Sequence, residues 1–153
     1  MESNIRILSA EELIPPLLEL LEATDCVPLV ISGNSMNPFL VHHRDTVYLS
    51  KIRRSLKRGD MILYRRDSGK FVLQRIYQAE HGTFTLVGDA QTTLERGIRP
   101  DQVLAVVTSV RRKGKILRSG CFWWEFFRKV WIRLVPLRPG IVSFYSGVSR
   151  LFR

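Results

Sequence analysis

The chain has 153 residues, of which 45% are hydrophobic, and this composition suits one globular domain with a substantial core. Its formal net charge of +10 is confined to one end, because residues 1–110 are neutral overall whereas residues 111–153 carry 11 Lys/Arg and the single acidic residue Glu125. The basic end indicates either an anionic partner or a solvated extension. No window reaches the ~18 uncharged apolar residues of a membrane-spanning helix. Two cysteines and three scattered histidines match no metal-binding pattern, so neither a metal nor a cofactor is expected.

The first predicted element is a short helix over residues 10–23. Ser9 and Glu12 have the spacing of a capping box, and leucines follow with helical periodicity. Pro15 and Pro16 fall in the first turns, where proline is least disruptive. The expected role of this helix is to pack on the core.

Short apolar segments then alternate with turn-forming residues at nearly regular intervals. The predicted strands cover residues 27–31, 46–49, 61–64, 71–77, 83–87 and 103–110, and a last strand begins at Ile116. Such spacing predicts a mainly β protein built on a sheet or barrel core.

Residues 121–135 predict an amphipathic helix that ends at Pro136 and Pro139-Gly140. Its apolar face comprises Phe122, Trp123, Phe126, Phe127, Val130, Trp131 and Leu134. Its charged face comprises Glu125, Arg128, Lys129 and Arg133. The pattern fits two structures: a helix lying in the interface of an anionic membrane, or a helix whose aromatic face closes the β core.

The predicted organisation has three units: an N-terminal helix (1–25), a β domain (26–118), and a basic aromatic helix with its tail (119–153). The N-terminus lacks the basic, apolar and small-residue order of a secretory signal. A cytoplasmic location is therefore expected. A peripheral position at the inner face of the membrane, through residues 121–135, is the open alternative.

Residues 32–40 read SGNSMNPFL and contain the strongest candidate for chemistry. A serine nucleophile needs an exposed hydroxyl, a nearby base and an oxyanion hole. Gly33 permits a close approach between backbone and substrate, and Pro38 stiffens the chain after Ser35. The backbone N–H of Ser35 and the side chain of Asn34 are the candidate oxyanion donors. Taken alone, Ser35 fits a turn serine equally well.

Three further segments follow in order: RGDMILY at 58–64, VLQRI at 72–76 and LVGDA at 86–90. In this order the four segments resemble signal peptidase I and the LexA-like serine peptidases, and the resemblance covers residues 30–110. It implies a fold of that type, a peptide substrate and Ser35 as the nucleophile. It also implies a set of substrate-binding positions: Gly33, Met36, Pro38, Arg75 and Asp89.

The sequence departs from these families at Gln74, where they carry a lysine or histidine that deprotonates the serine. A glutamine amide accepts no proton at physiological pH, and general-base assistance typically contributes ~10²–10⁴-fold to the rate. Lys70 shares a strand face with Gln74, but four residues along a strand place it ~13 Å away. His42 or His43 would have to fold back onto the serine to replace the base.

Three functions remain open. The first is a signal-peptidase-like serine endopeptidase homologue that acts on signal or leader peptides and is impaired by Gln74. The second is a non-catalytic protein of the same fold that binds an extended peptide along a sheet edge. The third, a nucleic-acid binder that uses the basic tail, is disfavoured because the sequence contains no nucleic-acid-binding motif.

Overall fold

The computed structural model describes residues 10–151. Its first element, α1, spans Ala10–Ala23, as the sequence predicts. The helix buries Ile14 and Leu21 against the sheet, which is the expected role of its apolar face. Ser9, the predicted N-cap, lies outside the described residues.

Eight strands form one antiparallel sheet. They are β1 (Cys26–Val30), β2 (Thr46–Ser50), β3 (Met61–Arg65), β4 (Phe71–Glu80), β5 (Thr83–Val87), β6 (Glu95–Ile98), β7 (Val103–Arg112) and β8 (Lys115–Arg118). The strand order is β1-β2-β7-β3-β4-β5-β6, and β8 pairs with β7 beside this path. The predicted mainly β fold is confirmed, and every predicted strand is present with slightly different ends.

The central strand β3 is buried on both of its faces. Met61 and Leu63 belong to the core cluster that also contains the buried residues of α1, whereas Ile62 and Tyr64 belong to the cluster on the other side. Successive side chains of a strand point to opposite faces of the sheet. Coverage of both faces therefore explains why this strand is a continuous apolar run and shows no polar alternation.

Strand β6 was not predicted. Its sequence is ERGI, and only Ile98 is buried, so it carries no alternating apolar signal. Pairing with β5 holds it in place, with Phe84 opposite Ile98 and Leu86 opposite Glu95. A tertiary contact, and not local propensity, determines this strand.

The C-terminal segment winds irregularly. It consists of α2 (Phe122–Glu125), a π turn (Phe126–Val130), a 3-10 turn (Trp131–Leu137) and α3 (Arg138–Leu151). The prediction that the helix ends at Pro136 and Pro139-Gly140 is wrong. Pro139 is the second residue of α3, where the missing N–H needs no helical partner, so it begins a new helix.

This winding divides the predicted apolar face between core and solvent. Of that face, Phe127 is buried, whereas Phe122 is 71% exposed and Val130 is 44% exposed. Ile132 and Val135, which lie outside the predicted face, are buried as well. A π turn holds more residues per turn than an α-helix, so it rotates the residues that follow it relative to the core. The segment therefore packs on the sheet and leaves part of its apolar surface uncovered.

The state of the cysteines and the lengths of the helices complete the description of the fold. Cys26 and Cys121 are both free thiols. Within residues 10–151, no helix combines the length and the apolar character that crossing a bilayer requires.

Candidate functional site

The serine loop follows β1 and is anchored by its apolar residues. Met36, Phe39 and Leu40 are buried, which fixes the loop on the core. Gly33 has φ +94°, a left-handed conformation that glycine adopts readily. Ser35 is half-buried, and its hydroxyl has no hydrogen-bond partner within residues 10–151. The side chain is therefore held in a fixed loop with its hydroxyl available.

Ser35 and Gln74 lie on the wall of one cavity of about 320 Å³. The serine loop forms one wall, the first residues of β4 form the opposite wall, and Arg66, Lys70 and Gln91 complete the lining. Of the predicted site residues, the structure brings together five: Gly33, Asn34, Ser35, Met36 and Gln74.

Pro38 lies elsewhere. It lines a second cavity, of about 570 Å³, together with Trp131 and Arg138 of the C-terminal segment. The carbonyl oxygens of Pro38 and Phe39 accept hydrogen bonds from the guanidinium of Arg112, at 3.4 and 2.8 Å. Its place in the structure therefore links the serine loop to β7 and the C-terminal segment.

The amide of Gln74 is buried and held at both ends. Its side chain is 4% exposed. The Tyr64 hydroxyl donates to Oε1 at 3.1 Å, and Nε2 donates to Oε1 of Gln91 at 2.9 Å. The backbone N–H of Gly88 donates to the same Gln91 oxygen at 3.1 Å, which fixes the orientation of both amides. Gln74 is thus a structural part of the cavity wall.

The groups behind Gln74 do not supply a base. Burial raises the pKa of Tyr64, as does its hydrogen bond to Glu95, so the phenol keeps its proton at neutral pH. Burial alone would raise the pKa of Glu95, but hydrogen bonds from Arg66 and Tyr64 outweigh it and lower the pKa. Arg66 binds this carboxylate at 3.0 and 2.9 Å. The ionised Glu95 does not line the Ser35 cavity.

Gly88 allows the loop after β5 to touch the serine loop. A Cβ atom at Gly88 would lie 2.4 Å from the carbonyl oxygen of Ser35 and 2.7 Å from Oε1 of Gln91. Next to it, the N–H of Ala90 donates to the same Ser35 oxygen at 2.9 Å. The first residue of the Gly88-Asp89 pair is therefore needed for close approach of two backbones.

Arg75 and Asp89 form a buried ion pair. Nε and Nη2 of Arg75 each lie 2.9 Å from an oxygen of Asp89, and the two side chains are 2% and 0% exposed. Nη1 of Arg75 donates to the Gly59 carbonyl at 2.8 Å. Neither residue lines the Ser35 cavity, but Asp89 lines the second cavity together with Pro38, and the substrate-binding role that the resemblance implies for the pair stays a prediction. Their geometry ties both Gly-Asp turns to β4.

The structure distinguishes between the candidate replacement bases. His42 accepts the Gly33 N–H at Nδ1, 2.7 Å away, and its ring stacks on that of His43 at 3.5 Å. Neither histidine lines the Ser35 cavity, whereas Lys70 does. Of the three replacement bases considered, Lys70 is therefore the one that lines the same cavity as the serine.

The sequence did not predict that the C-terminal segment clamps the loop 88–91. Arg138 is 2% exposed, and its Nη1 donates to the carbonyls of Gly88 and Gln91 at 2.9 and 2.7 Å. Trp131 donates from Nε1 to the Asp89 carbonyl at 2.8 Å. Burial lowers the pKa of Arg138. The one feature of the sequence that indicates this contact is the position of Arg138 among apolar residues.

The sequence model of a family described as Peptidase S24-like matches residues 4–111. The matched range includes the serine loop, Gln74 and the loop 88–91, and it ends within β7. This confirms the predicted resemblance to the LexA-like peptidases. No curated protein matches the chain.

Proposed function

The chain belongs to the Peptidase S24-like family, and we propose that it binds an extended peptide in the Ser35 cavity without cleaving it efficiently. One observation carries the proposal: Gln74, which the resemblance assigns to the position of the general base, is hydrogen-bonded at both ends of its amide in the cavity wall. An amide can orient a hydroxyl but takes no proton from it near neutral pH. Without a base, a serine hydroxyl is a weak nucleophile.

The edge of β4 offers the peptide a binding surface. Residues Phe71–Gln74 pair with β3 on one side, and the pairing of β4 with β5 begins only at Arg75. Within residues 10–151, no strand occupies the other side of Phe71–Gln74. This free edge forms a wall of the cavity that holds Ser35. A peptide added there as a strand would bring its backbone past the serine.

The charge of the lining favours a peptide that carries a carboxylate. Arg66 and Lys70 line the cavity, and no Asp or Glu does. Glu95 neutralises Arg66, but Lys70 has no ion-pair partner within residues 10–151. The preferred ligand is thus a leader-type peptide with an acidic side chain, or its own C-terminal carboxylate, near the bound segment.

A second candidate function is slow Ser35-dependent cleavage of signal or leader peptides. It is favoured by the free hydroxyl of Ser35 and by the presence of Lys70 in the lining of the same cavity. The backbone N–H of Ser35 and the side chain of Asn34 would then be the oxyanion donors. This function requires the Lys70 amine to reach the serine within ~3 Å or through one water.

The test incubates the wild-type chain and Ser35→Ala with a panel of leader and signal peptides. Binding is measured by isothermal titration calorimetry, and products are measured by mass spectrometry. We expect both proteins to bind acidic peptides with similar affinity and to release no product. If the wild type does cleave a peptide, Lys70→Ala is tested as a third protein. Loss of cleavage in both Ser35→Ala and Lys70→Ala would then establish the second function. Failure of both proteins to bind any peptide would contradict the proposal.

A further inference from the structure

The C-terminal segment exposes a cluster of aromatic side chains. Phe122 is 71% exposed and Trp123 is 46% exposed. Their ring centroids lie 5.1 Å apart, and the ring of Phe126 lies 6.2 Å from the first and 5.8 Å from the second. We call these three residues the aromatic patch. Large aromatic side chains grouped on a surface generally mark a binding site.

The aromatic patch is not needed to hold the C-terminal segment on the core. The neighbouring Phe127 is 3% exposed and packs against Phe39, with ring centroids 4.8 Å apart. Further along, Trp131 and Arg138 fasten the same segment to the loop 88–91. The segment is already held by its buried face, so the outward face is available for a partner.

Basic side chains lie on the hairpin next to the patch. Strand β8 contacts α2, and the hairpin of β7 and β8 carries exposed cations at Arg111, Lys113, Lys115 and Arg118. The guanidinium of Arg112 lies 5.7 Å from the centre of the Trp123 ring. Glu125, the only acid in residues 111–153, is engaged by Arg128 and Lys129. No free negative charge in this segment opposes an anionic partner.

We propose that the aromatic patch and the β7–β8 hairpin dock on the surface of an anionic lipid bilayer. Phe122 and Trp123 have the amphipathic or apolar rings that settle at the headgroup boundary, and the surrounding Lys and Arg contact anionic headgroups. Basic charge also attracts a nucleic acid, and aromatic rings also stack on its bases, so the test includes an oligonucleotide as the competing partner. Docking would place the protein at the bilayer surface. This proposal does not depend on whether the Ser35 cavity binds a peptide.

The test measures binding of the full chain to vesicles of phosphatidylglycerol and phosphatidylcholine, with pure phosphatidylcholine vesicles for comparison. The three tryptophans, at positions 123, 124 and 131, all lie in this segment, so brominated lipid reports its insertion by fluorescence quenching. We expect binding and quenching with the anionic vesicles. The double variant Phe122→Ser/Trp123→Ser should bind at least about tenfold more weakly.

A matched control replaces two exposed apolar residues outside the patch, Leu20→Ser/Ile52→Ser, and should bind within about twofold of the wild type. Circular dichroism checks that all variants keep the fold. Three results would overturn the proposal: equal binding by the patch variant and the wild type, no preference for anionic vesicles, or binding to an oligonucleotide but not to vesicles.

Discussion

At the residue scale, Gln74 differs from a lysine or histidine base in proton chemistry and also in how the surrounding groups hold it. The Gly88 N–H orients Gln91, and Gln91 orients Gln74. The amide oxygen therefore faces the Tyr64 hydroxyl, whose single proton is shared with Glu95. This hydrogen-bonded chain explains how a neutral amide is satisfied at the position that the resemblance assigns to the base.

The close contact at Gly88 predicts a steric effect on the site. In Gly88→Ala the new methyl would meet the Ser35 carbonyl and the Gln91 amide, and we expect a loss of about 1–3 kcal/mol in the free energy of unfolding. Chemical denaturation measures it. Gly140→Ala is the control, because no heavy atom lies within 4 Å of its Cβ position. Equal stability of the two variants would show that the contact is not tight.

The charge of Lys70 predicts a change in peptide preference. Reversing this charge in Lys70→Glu should weaken binding of an acidic peptide roughly fivefold and strengthen binding of its lysine-substituted counterpart. Titration calorimetry with both peptides gives the ratio of their dissociation constants for each variant. Lys57→Glu makes the same charge change at an exposed position outside the cavity. If both variants shift the ratio equally, the effect is one of net charge and not of the cavity.

The order of motifs along the chain predicted which residues lie together, while their chemical roles stay predictions. The serine loop and the strand carrying Gln74 were matched by their motifs, and the structure places both on one cavity. Arg75 and Asp89 also belong to the matched motifs, but their pairing with each other is evident only in the folded structure. Arg138 carried no motif, because its acceptors are backbone carbonyls of a distant loop.

At the element scale, two features shape the surroundings of Ser35: the late pairing of β4 with β5 and the irregular winding of the C-terminal segment. Pairing of β4 with β5 starts late and leaves the edge of Phe71–Gln74 free beside Ser35. The π turn and 3-10 turn then bring Trp131 and Arg138 onto the loop 88–91. Repetitive apolar patterns predicted α1 and most strands. The register of β4 and the winding after α2 depend on long-range contacts, which local patterns do not encode.

The ion pair of Glu125 predicts an acid-sensitive C-terminal segment. Hydrogen bonds from Arg128 and the Gly120 N–H lower the pKa of Glu125 from 4.5 to about 2. A lowered pKa contributes stability above the unfolded value and loses it on acidification. Between about pH 4.5 and 2 we expect a loss on the order of 1 kcal/mol, because the pair lies near solvent.

Tryptophan fluorescence measures this loss, since all three indoles lie in the segment. Glu125→Gln removes the titrating group and should be less stable than the wild type at pH 7, with the difference vanishing near pH 2. A constant difference between the two proteins across this range would contradict the assignment to Glu125.

At the scale of the whole molecule, the chain joins a neutral peptidase-like part to a basic appendage. The family match ends at residue 111, and the net charge of +10 resides in residues 111–153. Hydrogen bonds from Trp131 and Arg138 fasten this appendage to the loop that touches Ser35. Docking of the aromatic patch on a bilayer would thereby hold the Ser35 cavity in a set orientation to the membrane.

The central claim, that Gln74 prevents cleavage, is tested most directly by restoring a base. In Gln74→His, one ring nitrogen can donate to Gln91 and leave the other to accept the Ser35 proton. We expect Gln74→His to cleave leader peptides at least ~100-fold faster than the wild type or its detection limit, and we expect Ser35→Ala/Gln74→His to lose this cleavage. The measurement is the cleavage rate by mass spectrometry on peptides that bind. Ser35-dependent cleavage by the wild type at the rate of Gln74→His would contradict the account.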